Sequence, residues 1–265
     1  MKGYCHLKNI LYGVNTPYLS RIFSVQHDFM LLQKVLSKLI LVVILASMAV
    51  AHAADIVGTI TFKGTAPTEI SLAAMADNAE CMAMHTNIPT THHYVVGPNG
   101  EFGNVTVYLE GMDGKSTGAS AAPAVLDQKG CLYTPTILAI QTGQKLIVKN
   151  SDPCIHNVHI NSTVTGNPTS NDVQMSGAPD LTYTFPKPEM FLKFQCDVHP
   201  WMFAWVSVFD HPYFCVSGVD GKFVIKNVPP GKYTIVAAHR KAGTQTADVE
   251  VKDDDATVNF TFEAK

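Results

Sequence analysis

The 265-residue chain is poor in charge, in tryptophan and in long apolar runs. Charged residues make up 15% of it and the formal net charge is −3. It therefore lacks the basic excess that holds a nucleic-acid backbone, and nucleic acid is excluded as a partner. Its longest apolar run, Leu39 to Val50, has 12 residues, too short to span a bilayer comfortably. Long stretches of helical periodicity are also missing. The one helical candidate is Leu72 to Met84, rich in Ala and Met, and it is read as helix or irregular structure.

What replaces helix is a series of short alternating runs punctuated by Gly, Pro, Asn and Asp, the pattern of an all-β chain. Strands are expected at Ile56–Phe62, Asn104–Leu109, Lys145–Lys149, Asn157–Ile160, Leu181–Phe185, Met190–Gln195 and Trp205–Phe209. Asp220-Gly221 suits a tight hairpin turn. Pro229-Pro230-Gly231 places a rigid corner before a further strand.

The N-terminal region reads as an address. Lys34 and Lys38 precede the apolar run, and Ala51-His52-Ala53 fits a small-x-small cleavage site, so residues 34 to 53 are expected to be a secretory signal cut after Ala53. Met30 is then the expected initiator and residues 1 to 29 an upstream extension. Removing residues 1 to 53 takes away five Lys/Arg and one Asp, which moves the net charge to −7. The expected compartment is periplasmic or secreted, with no stable membrane insertion after cleavage. Such a compartment is oxidising and lets cysteines pair.

The most informative stretch is Cys196-Asp197-Val198-His199-Pro200-Trp201-Met202. It brings a thiolate, an imidazole and a thioether together in the order Cys-x2-His-x2-Met. Upstream lie two further imidazoles, His156 and His159. Residues three apart on a strand face opposite sides, so only one of these can point at Cys196. Two His, one Cys and a weak axial Met form the ligand set of a blue-copper electron-transfer site. Structural zinc sites are closed tetrahedra of Cys and His and do not use Met.

This loop, with Tyr133-Thr134-Pro135, Gly143 to Asn150 and His156-Asn157-Val158 before it, resembles the cupredoxins, and its spacings are most similar to those of amicyanin-type loops. The resemblance covers roughly residues 128 to 212. It implies a Greek-key β-sandwich holding one type 1 copper, with His156, Cys196, His199 and Met202 as ligands. It also implies that the backbone N–H of Asn157 contacts the thiolate. His159 is left as a surface or packing residue. In such a site the His of the ligand loop lies nearer the surface, so a redox partner protein is expected to dock near His199 and Trp201.

The last 50 residues resemble a second family. Asp220 to Ile225 and Val228 to Ile235 look like the carboxypeptidase-regulatory, transthyretin-like β-sandwich. Counterparts of the opening strands of that fold lie far upstream, at Val57 to Phe62 and Asn104 to Leu109. The expected architecture is therefore all-β: a cupredoxin sandwich, residues 128–212, inserted in a smaller transthyretin-like sandwich made of residues 54–127 and 213–265. Two sequential domains are the simpler alternative. Besides Cys196, the exported part carries Cys81, Cys131, Cys154 and Cys215. Four cysteines allow three pairings, and Cys81–Cys131 with Cys154–Cys215 is the preferred scheme.

The expected function is an exported one-electron carrier with a mononuclear blue copper. The alternative is a secreted copper-binding, copper-delivery or interaction module without electron transfer. Copper oxidases and reductases need a second cluster, normally marked by His-x-His pairs. The chain has none: His92 and His93 are adjacent, and His156 and His159 are three apart. No enzymatic activity is expected.

Overall fold

The chain is described by a computed structural model, which describes residues 33–34 and 52–264. Among the described residues, seventeen strands arrange in four sheets. The Leu72 to Met84 segment, read as helix or irregular structure, holds a 3-10 turn, Ala73–Asp77, followed by a single α-turn, Ala79–Met82. The Asn78 side chain caps the latter by accepting from the N–H of Cys81. The apolar run of the expected signal lies outside the described residues. Among the described residues no helix is long and apolar enough to cross a membrane.

Two sheets draw on both ends of the chain. Strand β1, Ala54–Lys63, pairs antiparallel with β13, Lys222–Val228, and parallel with β16, Ala256–Thr257, and β17, Phe260–Glu263. In the second sheet, β2, Thr106–Leu109, lies between β12, Phe214–Val216, and β14, Gly231–His239. Strand β15, Gly243–Val251, forms the edge. Inward residues from both sheets share one core: Ile56, Ile60 and Phe62 of β1, Val107 and Leu109 of β2, Ile225 of β13 and Ile235 of β14. The Asp220-Gly221 turn joins β12 to β13. Gly221 has φ +71° there, and a side chain would run into the Ile60 carbonyl at 2.4 Å.

The other two sheets carry the middle of the chain. One has the order β5, Ile137–Gln141; β11, Phe203–Phe209; β10, Glu189–Gln195; β7, His156–Asn161; β8, Ser170–Gln174. Its partner has the order β4, Tyr133–Thr134; β3, Ala124–Gln128; β6, Leu146–Asn150; β9, Leu181–Tyr183. Leu126, Leu146, Val148, Val158, Ile160, Phe194 and Val206 fill the space between them. The chain is thus all-β throughout its sheets.

Two features shift the expected division of the chain. Strand β3 runs parallel to β6 from Ala124↔Leu146 to Gln128↔Asn150, so a boundary at 127/128 cuts through a strand of the middle sheets. Leu72, Met75 and Cys81 are buried in the same core as the middle strands, with Met82 and Met84 packed against it. The segment from Leu72 to Met84 therefore packs with the middle sheets and not with the terminal ones. Its Ala- and Met-rich composition serves burial against a sheet, which two short turns satisfy.

Candidate metal centre

Strands β7, β10 and β11 set the site. Along β7 the side chains of His156, Val158 and Ile160 are buried, while His159 and Asn161 alternate outward. His159 turns toward solvent and pairs with Asp197 at 2.9 Å. His156 points inward and is fully buried. Antiparallel pairing of β10 with β11 puts Gln195 opposite Phe203, so residues 196 to 202 form the connecting loop. Two backbone bonds close that loop: Cys196 N–H to the Met202 carbonyl at 3.2 Å, and Met202 N–H to the His199 carbonyl at 2.9 Å.

Three donor atoms converge. His156 Nδ1 and His199 Nδ1 are 2.9 Å apart, and Cys196 Sγ lies 4.0 Å from the first and 3.8 Å from the second. Cys196 is 1% exposed, His199 3%, and Met202 is fully buried in the same core. One ion can touch three donors only if each pair is closer than the sum of two metal–ligand bonds. With bonds of about 2.0 Å to nitrogen and about 2.3 Å to sulfur, all three separations meet that condition. The donor set is soft sulfur with imidazole, which suits copper.

Hydrogen bonds support these donors. The Asn157 N–H reaches Cys196 Sγ at 3.4 Å. Its side-chain oxygen accepts from the N–H groups of Asp197 at 2.6 Å and Val198 at 3.2 Å, which pins the start of the loop. Burial pushes the Cys196 thiol up, but His156, the Asn157 N–H and the His199 backbone outweigh it and hold its pKa below the ordinary value. Burial also works against a charged His156. The Asp152 carboxylate and Cys196 reverse that and raise its pKa. His199 goes the other way, lowered by burial and by the neighbouring His156.

The sequence reading missed Asp152. Its carboxylate sits 2.9 Å from His156 Nε2, on the side of the ring away from Cys196. It also accepts from the N–H groups of Gly130, at 2.6 Å, and Cys131, at 2.7 Å. A carboxylate behind a ligating imidazole fixes the ring and its tautomer. An Asp four residues before the His is the only signal the sequence carried for it.

Two expectations need correction. Cys81 and Cys131 form a disulfide, but Cys154 and Cys215 are free and do not pair. Cys154 lies 3.7 Å from Cys131 Sγ, whereas Cys215 faces the terminal-strand core from β12. His199 was expected near the surface, yet it is buried. The Trp201 ring packs against it in a tilted arrangement, with centroids 5.3 Å apart, and donates its indole N–H to the Cys131 carbonyl at 3.1 Å. A cavity of 240 Å³ beside Trp201 is lined by Leu72, Leu132, Tyr133, Thr136 and Phe203.

No family model and no curated protein matches the chain. Among solved structures it is similar to an amicyanin variant, at 20% identity and a TM-score of 0.30, over 38% of this chain and 97% of that one. It is similar to a purple cupredoxin from Nitrosopumilus maritimus, at 22% identity and 0.28, over 32% and 98%. A copper-containing nitrite reductase from Thermus scotoductus SA-01 matches at 20% and 0.30, over 34% of this chain, which spans 23% of the reductase's length. With a reductase among the similar structures, the expectation of a chain without enzymatic activity does not stand and is withdrawn. These structural neighbours are cupredoxins and a copper enzyme, each alike over about a third of the chain.

Proposed function

We propose that the chain is an exported copper protein that carries single electrons through one type 1 copper held by His156, Cys196, His199 and Met202. The convergence of His156 Nδ1, His199 Nδ1 and Cys196 Sγ in a buried pocket carries this reading. When bound, copper supplies reversible one-electron chemistry. The chain's own part is to hold the donors still. His156 is fixed by β7 and by Asp152, and the loop is pinned by Asn157. A site that does not rearrange between oxidation states exchanges electrons with little reorganisation.

Complete burial of the ligands favours retention of the ion over its hand-over, and so favours the carrier over a delivery module. A redox partner protein would approach the ligand loop, where exposed Val198 and Pro200 and half-buried Trp201 flank His199. Small redox encounters bury modest area. The strand pairing of β1 and β2 with strands after residue 213 supports a middle sandwich inserted in a transthyretin-like one made from both ends.

The test is the visible spectrum of the full chain loaded with Cu(II), beside Cys196→Ser. An intense thiolate charge-transfer band, lost in the variant, is the expected result. A colourless protein, or the same spectrum in both, would sink the reading.

A further inference from the structure

Next to the proposed copper centre lies a group of sulfurs that it does not use. Sγ of Cys81, Cys131 and Cys154 and a ring nitrogen of His199 all lie within 4.8 Å of one another, and all four residues are buried. Two of the sulfurs form the disulfide. The third, Cys154, is a free thiol 3.7 Å from Cys131 Sγ.

Each cysteine is held by ties that do not depend on the disulfide. Cys81 sits on the α-turn capped by Asn78. Cys131 is clamped through its N–H by Asp152 and through its carbonyl by the Trp201 indole. The Cys154 carbonyl accepts from the Asn150 side chain at 2.9 Å. His85 adds a contact of 2.6 Å to the Gly130 carbonyl beside Cys131. Opening the disulfide would therefore leave three thiols facing one point.

We propose that the reduced form of this triad, Cys81, Cys131 and Cys154, is a second metal site that binds copper(I), beside the first and sharing its wall at His199. Three sulfurs around one soft ion with bonds of about 2.3 Å stand about 4 Å apart, close to the 3.7 Å already between Cys131 and Cys154. Thiolate sulfur selects copper(I) over hard cations. The site forms when a dithiol reductant gives two electrons and two protons to the Cys81–Cys131 bond, yielding two thiols and becoming a disulfide itself. Each sulfur that then binds the ion releases its proton to solvent, with no change in the oxidation state of the metal.

The experiment uses the full chain carrying Cys5→Ser, Cys196→Ser and Cys215→Ser, which removes the first centre's thiolate and the stray thiols. Copper(I) is titrated anaerobically against a chromophoric copper(I) chelator. One sample is refolded under a phosphine so that Cys81–Cys131 stays open, and one is left oxidised. The reduced chain should withhold one equivalent from the chelator and the oxidised chain none. Adding Cys154→Ser, a change that leaves the disulfide able to form, should abolish the uptake in the reduced sample. A reduced chain that withholds no copper(I), or as much with Cys154→Ser as without it, overturns the proposal. The visible band of the wild-type chain reads the first centre separately, so failure of either site is told from failure of the other.

Discussion

The Asp152 carboxylate stands 2.9 Å from Nε2 of His156, with both side chains buried, and the same carboxylate holds the N–H of Cys131. One residue thus connects the disulfide loop to the imidazole that faces Cys196. Burial alone would raise the pKa of Asp152. Its hydrogen bond to His156 and those from the Cys131 and Gly130 N–H groups lower it instead, so it is present as the anion. Asp152→Asn keeps an acceptor and removes the charge. Carboxylates behind ligating imidazoles typically tune metal affinity 10- to 100-fold, so copper retention should fall by about that factor in a chelator competition. The reduction potential should rise, because the buried negative charge favours the more positive ion. An unchanged affinity and potential would show that Asp152 only braces the loop.

Asn157 acts on the other side of the thiolate, through its side chain as well as its backbone. Its oxygen accepts from Asp197 and Val198, and its amide contacts Asn171. Asn157→Ala removes those bonds and keeps the N–H that reaches Cys196. At about 0.5–1.5 kcal/mol each, two lost loop bonds should cost about 1–3 kcal/mol in denaturant unfolding. The visible band should persist with altered intensity. A variant as stable as the parent would mean that the loop is held by its own two backbone bonds.

Away from the metal, His239 should give the terminal-strand sandwich a pH dependence. Its ring packs among Tyr94, Phe102 and Phe262, donates from Nε2 to the His93 carbonyl, and accepts at Nδ1 from the N–H of Lys241 and Ala242. Burial lowers its pKa from 6.5 to about 4. The unfolded chain therefore takes up a proton that the folded chain refuses between those values. Stability is full above pH 6.5, falls as the pH drops toward 4, and levels off below it. At 1.36 kcal/mol per unit the loss approaches about 3 kcal/mol. Unfolding free energies of the parent and His239→Gln, measured across this window, should differ in slope, with the variant flatter. Parallel slopes would remove His239 as the cause.

How much of this was legible in the sequence depended on whether a local period applied. The order of Cys196, His199 and Met202 is local, two-residue alternation admitted only one of His156 and His159 to the site, and the resemblance to cupredoxins selected His156. Asp152 lies in a turn before β7, where no period holds, and its partners Gly130 and Cys131 are distant in sequence. Strands β8 and β15 were missed because they are edge strands with polar outer faces, and β8 offers only Val173, itself exposed, as an apolar residue. Of the preferred cysteine scheme, Cys81–Cys131 forms and Cys154–Cys215 does not. Counting treats all thiols alike, while the two packed cores hold Cys154 and Cys215 apart.

Gly58 offers a test of whether the two sandwiches are separate in stability. It lies in β1 opposite Phe223 of β13, and a Cβ there would meet the Val258 carbonyl at 1.7 Å and the Phe223 ring at 2.6 Å. Gly58→Ala must push β1 away from one neighbour. Overpacking of this kind costs about 1–3 kcal/mol. The strain falls on the core that contains Ile56, Ile60 and Phe223, whereas the proposed copper ligands belong to the core of the middle sheets. Heating the copper-loaded variant should therefore lower a transition seen by far-ultraviolet circular dichroism while the visible band survives to the temperature at which the parent loses it. If the band and the dichroism fall together and earlier, the two cores unfold as one, and the middle sheets depend on the terminal ones for stability.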